Sequence, residues 1–414
     1  MRHRIPFGRR PVMAVVAVVL AASCGGGSGD APSASANTNC STPGISPTAA
    51  NVGMIFPSSG PAAPQFADFR AGVDARFGVE NSKGGVHGRQ LAYDWADDGS
   101  NPATNRAVAT GLIERSQVFG VFEASNVVSG SVDYLHTNGI PVIGFSAETL
   151  WSKNDNMFTW SNYLTDGPAP TTWGTFAKNL GGKKAAVLRI AFSEASAIFA
   201  QKMTESMKAA GIDVVYTEQI SVTGTDPAAI AARIKSYGVD VLTGALTVDA
   251  FTNITAAVNR AQIPIRVSMS PSGYDQAVLT KYGSQLAGTY VFVNVAPFEE
   301  NLPAHKAFIA GMTAYAPQLQ PPTQSVALSG WITADMFIRG LQAAGACPTR
   351  QSFINELRQV RNYDAGGLVT PPADMTKYQN AAPCYTFLRI NNKGTAFDVQ
   401  QPAPFCGQSA ASGQ

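Results

Sequence analysis

From residue 51 onward the chain alternates two rhythms. Short apolar runs bounded by small or polar residues read as strands: NVGMIF at 51–56, QLAYDWA at 90–96, VFGVF at 118–122 and IPVIGF at 140–145. Between them apolar residues recur at helical spacing, as with Phe66, Phe69, Val73 and Phe77. Asn101 followed by Pro102 predicts a helix start, with the helix running to about Ser116, and another helix ends near Thr137. A second series begins near residue 166: a helix to Leu180, a strand at 185–192 and a helix stopping before Gly211. It continues with a strand at 214–220, a helix from Asp226-Pro227 to near Gly238, and a strand at 239–245. A helix to Ala261 and a strand at 265–270 close the series. Strands alternating with helices in this way predict βαβ units and parallel sheets covered on both faces. Two such series predict an α/β chain of two doubly wound lobes with a hinge and a cleft between them.

The rest of the pattern differs. Residues 303–315, 325–344 and 350–359 are helical by spacing. YTFLRI at 385–390, the turn Asn391-Asn392-Lys393-Gly394 and TAFDV at 395–399 read as a hairpin. Lobe 1 is therefore expected over 50–165 plus 297–380, lobe 2 over 166–296 plus 381–406, and a disordered tail over 407–414.

The amino-terminal stretch has a different logic. Arg2, Arg4, Arg9 and Arg10 precede an almost wholly apolar run from Val12 to Ala22. That run is too short to span a bilayer as a helix, which needs about 20 residues. A basic start, a short apolar core and a small-residue exit describe a secretory signal peptide over 1–23. A short buried helix is the plain alternative, and the arginines argue against it. Ala21, Ala22 and Ser23 precede Cys24, a stretch that resembles the lipobox of bacterial lipoproteins, although Leu20 sits one place earlier than the lipobox leucine. The resemblance implies a lipidated Cys24 anchoring the protein to the outer face of the cell membrane. Residues 24–49, rich in Gly, Ser, Ala, Thr, Asn and Pro, would be the flexible tether.

Composition narrows the function classes. Charged residues make up 14% of the chain and the net charge is +2, with no basic stripe to suggest nucleic acid. Setting Cys24 aside leaves Cys40, Cys347, Cys384 and Cys406, an even set in an export setting where disulfides persist. Four cysteines allow three connectivities. The helix at 325–344 should carry Cys347 to the end of lobe 1 where the first strand begins, which favours Cys40–Cys347. Cys384 and Cys406 flank the hairpin, which favours Cys384–Cys406. Four free buried thiols are the alternative. None of these cysteines has a CxxC partner or a nearby histidine, so no metal is expected, and no cofactor.

Enzyme signatures are scarce. There is no HExxH, no Walker loop and no GxGxxG between a strand and a helix. Gly144-Phe145-Ser146-Ala147-Glu148 imitates a nucleophile elbow but ends in Glu rather than Gly. A serine hydrolase built on Ser146 stays as a remote alternative, and the chain is expected not to be an enzyme. Binding is better supported, because open parallel sheets bind ligands beyond the carboxyl ends of their strands. Small polar segments fall there: Ser58-Ser59-Gly60, Ala124-Ser125-Asn126, Ser146-Ala147-Glu148 and Ser270 to Tyr274. Each alone is as consistent with loop and capping chemistry; their recurrence at equivalent positions carries the reading.

NSKGGVHGRQL at 81–91 with DDGSNP at 97–102 resembles the signature of type I periplasmic binding proteins, the leucine/isoleucine/valine-binding receptors of ABC importers. IFPSSGP at 55–61 resembles their first cleft loop, and TDPAAIAARIKSYGVDVL at 225–242 their second-lobe helix and strand. The resemblance covers about residues 50–400 and implies a monomeric extracytoplasmic receptor that hands a small ligand to an ABC permease and its ATPase. A ligand sensor for signalling is the other function open to the same lobes. By motif, Ser125 and Ser146 fall near where the family holds a ligand carboxylate, with Ala124, Ala147 and Glu148 in the same segments and Ser59 in the first cleft loop. Gln65 and Phe66 fall near the first-loop contact, and Thr247 where a second-lobe ring is often presented. Phe66, Phe192 and Tyr274 are the expected apolar wall. The acid that pairs a ligand ammonium should lie near 270–273, where this chain has Ser272. Either Glu148, Glu194 or Asp275 replaces it, or the ligand need not carry an ammonium and is a carboxylic acid or amide.

Overall fold

The structure, a computed structural model, describes residues 40–191, 193–221 and 224–408 of the 414-residue chain. Cys24 and Phe192 lie outside the described residues. In the first lobe β1 (Ala49–Phe56) leads through the short α1 (Ala63–Phe66) to α2 (Phe69–Ser82). Then come β2 (Gln90–Asp97), α3 (Pro102–Glu114), β3 (Val121–Glu123), α4 (Val132–Thr137), β4 (Val142–Gly144) and β5 (Met157–Phe158). The second lobe runs α5 (Thr172–Asn179), β6 (Lys184–Ile190), α6 (Glu194–Ala209), β7 (Asp213–Ile220) and α7 (Pro227–Ser236). It continues with β8 (Val241–Ala245), α8 (Val248–Arg260), β9 (Val267–Ser270), α9 (Gln276–Leu286) and β10 (Tyr290–Val293). The chain then adds α10 (Pro303–Tyr315), α11 (Ser325–Ala344) and α12 (Arg350–Arg358) to the first lobe. It returns to the second sheet with β11 (Cys384–Ile390), β12 (Phe397–Val399) and β13 (Phe405–Cys406).

The first sheet is parallel in the order β2-β1-β3-β4-β5. The second runs β12-β11-β10-β9-β8-β6-β7, parallel from β7 to β10, with β11 antiparallel to β10 and to both β12 and β13. Each parallel part is doubly wound. Strand order reverses between β1 and β3 in one lobe and between β6 and β8 in the other. Those are the points where the carboxyl ends of neighbouring strands splay and leave a crevice.

Packing follows the apolar periodicity. α11 lies across α2 on a pair of glycines: a Cβ on Gly72 would stand 1.8 Å from the Ala327 carbonyl oxygen, and one on Gly330 2.0 Å from that of Phe69. This close approach brings Phe337 edge-on to Phe122, with ring centroids 5.4 Å apart. The second sheet is packed on both faces. Trp173 and Phe176 of α5 meet Tyr385 and Phe387 on one side, while Leu242, Leu388 and Ile390 face α7–α9 on the other.

Both strand reading and tail reading need correction at particular places. The strand expected over 118–122 shrinks to β3 because the Val118 and Phe119 carbonyls are taken by the Arg350 guanidinium at 2.8 and 2.9 Å. α9 and β10 lie outside the elements that the apolar pattern predicts. α9 has Gly283 in its interior, where a Cβ would stand 1.9 Å from the Gly394 carbonyl, so tertiary contact rather than propensity holds it. The tether expected over 24–49 gives way to packed chain from Cys40 onward: Cys40 is bonded to Cys347 (Cα–Cα 5.3 Å), and Ile45 is buried. The tail expected over 407–414 is docked at its start, where Gln408 exchanges hydrogen bonds with Thr171 at 2.7 and 3.0 Å. Cys384 and Cys406 face each other in the β11–β13 ladder and are bonded, with Cα–Cα 4.0 Å.

Candidate functional site

The cleft is built from the carboxyl ends of the strands. After β1 the chain turns through Ser58, Ser59 and Gly60 over the end of β2. There Asp97 accepts hydrogen bonds from the Ser59 hydroxyl (2.7 Å) and from the amides of Ser58 (2.9 Å) and Gly99 (2.8 Å). Burial works against this carboxylate, but the donors from Ser59, Gly99 and Ser58 outweigh it and hold Asp97 down at about 2. Ser59 is exposed, yet its proton is committed to Asp97. Gln65 accepts from the Asn126 side-chain amide at 2.9 Å, which ties the first loop to the one after β3.

Ser125 is fully buried at the end of β3. Its hydroxyl donates to Asp98 at 2.5 Å, and Asp98 also accepts from Asn105 at 3.3 Å. Asn105 bonds Glu123 at 3.2 Å, and the Ser131 hydroxyl bonds Glu123 at 3.1 Å. Burial first, and then the charge of Asp98, push the Glu123 carboxyl well above its ordinary range. Beneath Ser125 there is thus an acidic floor.

Ser146, at the end of β4, is also buried, and its hydroxyl donates to Asn162 Oδ1 at 3.2 Å. The direction is fixed from the other side: Asn162 Nδ2 donates to the Tyr378 carbonyl at 2.5 Å, leaving only its oxygen to face Ser146. Asn162 also accepts from the Ala382 amide at 2.9 Å through its backbone carbonyl. Residues 159–171, 294–302 and 378–383 carry the chain between the lobes. Asn162 joins the first of these crossings to the third, and Tyr163 joins it to the second by donating to Asn294. Ser146 is therefore wired to the hinge. Its neighbours differ from what a nucleophile needs. Among the described residues His136 engages Asn156, His305 engages the Ala296 carbonyl, and neither reaches Ser146.

All three serines give their protons to partners in the protein. The hydroxyl donors expected to grip a ligand carboxylate at Ser125 and Ser146 are already spent. What remains is the backbone. Ala124 and Ala147 use their amides on the carbonyls of Ile55 and Phe145 at 3.0 and 2.9 Å, but among the described residues the amides of Ser125 and Ser146 have no backbone acceptor. Buried N–H groups without partners are rare.

Across the cleft, Glu194 opens α6 just beyond β6, behind the Ser193 cap, and Thr247 caps α8 by accepting from the Ala250 amide at 3.3 Å. Glu148 accepts from the Ser129 amide at 3.2 Å. Burial raises its carboxyl above the ordinary value, and the charge of Glu194 adds to the rise. The two acids from opposite lobes thus feel one another. The other acidic candidate is elsewhere: Asp275 accepts from the Ser325 amide (2.7 Å) and hydroxyl (3.1 Å) at the start of α11. Ser272 donates its amide to the Ser270 hydroxyl at 3.1 Å. Of the expected apolar wall, Phe192 lies outside the described residues. Tyr274 is buried in the second core, donating to Glu299 at 2.7 Å and accepting from the Phe298 amide at 2.6 Å. Phe66 is buried too, edge-on to Phe145 with centroids 6.0 Å apart. Phe145 continues to Trp160 (6.4 Å) and Tyr163 (6.3 Å), rings that sequence reasoning passed over. Asn162 and Asn105 were missed as well. Only the acids Asp97-Asp98 at the end of β2 offered a signal for the floor.

The sequence profile of the periplasmic binding protein family matches residues 49–395. A Leu/Ile/Val-binding protein of Rhizobium johnstonii is 22% identical over 317 residues, covering 74% of this chain and 83% of that protein. Among solved structures, an ABC transporter substrate-binding protein of Aeropyrum pernix superposes with TM-score 0.73 at 15% identity, covering 87% of this chain and 97% of its own. A solute-binding protein of Rhodopseudomonas palustris in complex with p-hydroxybenzoic acid gives TM-score 0.72 at 18% identity, covering 87% and 98%. The branched-chain amino acid binding protein of Streptococcus pneumoniae in complex with isoleucine gives 0.69 at 17%, covering 86% and 100%.

Proposed function

Because the chain belongs to the periplasmic binding protein family, we propose that it is an exported receptor that captures a small zwitterion and delivers it to an ABC permease. The observation that carries the ligand class is the pair of buried, unpartnered amides of Ser125 and Ser146 with Glu148 and Glu194 close by. A ligand carboxylate fits the amides, and a ligand ammonium fits the acids. The serine oxygens, having donated their protons, offer lone pairs and so also favour N–H groups over a second carboxylate. This inverts the ligand preference drawn from Ser272. Such a ligand is an α-amino acid, and Phe145, Trp160 and Tyr163 give its side chain an apolar and aromatic neighbourhood. Closing the lobes would bring Glu194 onto the ammonium, which lowers the cost of burying it. Asn162, with its neighbour Tyr163, would then pass engagement at Ser146 to all three crossings. The receptor role needs no catalysis, and ATP hydrolysis would belong to a separate subunit. Cys24 is the proposed lipid anchor, with the residues up to Cys40 as the leash.

The test is a thermal-shift screen of free amino acids beside benzoate and 4-hydroxybenzoate. A true ligand at 100 times its Kd adds about 2.7 kcal/mol of stability. Stabilisation by at least one apolar or aromatic amino acid is expected. Stabilisation by the simple aromatic carboxylates alone would overturn the zwitterion reading.

A further inference from the structure

At the opposite end of the second lobe from the cleft, a cavity of about 290 Å³ opens between the sheet and α8. Its lining includes the polar side chains of Thr255 and Asn259 from α8 and of Ser268 and Thr289 from the amino ends of β9 and β10. Arg266 and Arg389 also line it, and the rest of the wall comes from Leu242, Val258, Ile265, Ala287, Gly288 and Tyr290. Arg266 sits just before β9, and Arg389 near the end of β11, which runs antiparallel to its neighbour and so finishes on the same side.

Three features single this cavity out. First, neither arginine forms an ion pair among the described residues: Arg389 donates to the Asn392 side chain at 3.0 Å, and Asp398, its partner in the β11–β12 ladder, stays outside ion-pair distance. Second, Thr255 is buried and its hydroxyl has no hydrogen-bond partner. A helical threonine usually donates to the carbonyl four residues back, as Thr252 does to Val248 at 2.7 Å. Thr255 forgoes that bond. Third, the Thr289 hydroxyl donates to Ser268 at 3.2 Å, which sets a pair of hydroxyls on the wall of the cavity. The plain explanation for the arginines would be capping of the carboxyl ends of α8 and α9, but neither guanidinium donates to a carbonyl there.

We propose that this cavity is a second binding site, remote from the cleft, for a small oxyanion. Two guanidinium groups supply charge and forked donors, which match the geometry of phosphate and carboxylate oxygens. The Thr255 hydroxyl supplies an inner donor whose buried proton gains an acceptor when the site fills. The volume lies at the lower limit of small-molecule pockets, which suits inorganic phosphate or a short carboxylate rather than a large organic body. The inference does not rest on the cleft or on its ligand.

Calorimetry on the full chain tests it, with inorganic phosphate and succinate titrated separately at ionic strength fixed by sodium chloride. One saturable site is expected for at least one of them, and which one responds names the source of the oxyanion. Arg266→Gln/Arg389→Gln should weaken that binding at least 10-fold. Thr255→Val should weaken it several-fold while leaving the chain as stable as before or more so, because it removes a buried, unpaired hydroxyl. Absence of saturable binding for both anions overturns the proposal. So does binding of equal strength in the wild type and the double variant.

Discussion

Gly72→Ala should destabilise the first lobe although alanine is the better helix former. The new methyl would point at the Ala327 carbonyl, with its carbon 1.8 Å from that oxygen. Carbon–oxygen contacts under 3.0 Å essentially do not occur, so α2 and α11 must part by about 1.2 Å (3.0 minus 1.8). No side chain can swing away, because both sides of the contact are backbone. The crossing is reciprocal, since Gly330 meets the Phe69 carbonyl in the same way. Separation therefore loosens the buried rings of Phe69, Phe77, Trp331 and Phe337 together. Overpacking of this kind costs about 1–3 kcal/mol, and a rigid backbone contact belongs at the upper end. The gain in helix propensity is about 1 kcal/mol, so a net loss of about 2 kcal/mol follows. Gly111→Ala, in the interior of α3, is the matched control. The atoms nearest its methyl would be those of the flexible Arg115 guanidinium, which can swing away, so it should stabilise by up to about 1 kcal/mol. Urea melts of both variants beside the wild type measure the difference. A Gly72→Ala midpoint at or above wild type would refute the close-crossing argument.

Asn162→Ala should cost about 1–3 kcal/mol in thermal melts, since it strands the buried Ser146 hydroxyl and the Tyr378 carbonyl; an unchanged Tm would deny the hinge node. Burial pushes Asp275 up to about 6, only partly offset by the donors of Ser325. The folded value therefore exceeds the unfolded one of about 4, and stability from this group is full below pH about 4 and lost as pH rises through about 6. Asp275→Asn should flatten that limb in Tm measured from pH 4 to 7. Breaking Cys40–Cys347 or Cys384–Cys406 with paired alanines should each cost about 2–4 kcal/mol, and non-reducing peptide maps finding Cys347 joined to Cys384 would refute the pairing. Cys24→Ala should release the protein from membrane fractions, and retention there would remove the case for a lipid anchor.

The architecture was legible because it rests on periodicity. α10 and α11 fall where the spacing placed them, and β6 to β9 lie within a residue or two of their apolar runs. Elements held by tertiary contact were not legible. α9 carries a glycine pressed on another backbone, and β10 is four residues long. The candidate site was legible as positions but not as chemistry. Small polar residues at strand ends mark Ser59, Ser125 and Ser146. Whether each hydroxyl donates outward or inward depends on Asp97, Asp98 and Asn162, whose proximity no sequence spacing reveals. Tyr274 reads as a wall residue in a loop, and only the packing of β12 turns it into core.

The central claim is that the cleft holds an amino acid by its backbone amides and by Glu148. Isothermal titration calorimetry with free leucine, isoleucine, valine and phenylalanine, each beside its N-acetyl derivative, tests it most directly. At least one free amino acid should bind at one site. Its acetylated form, and the free form titrated into Glu148→Gln, should each bind about 10- to 100-fold more weakly, the value of about 1.5–3 kcal/mol for a hydrogen bond to a charged group. An acetylated ligand that binds as tightly as the free one, undiminished by Glu148→Gln, would contradict the account.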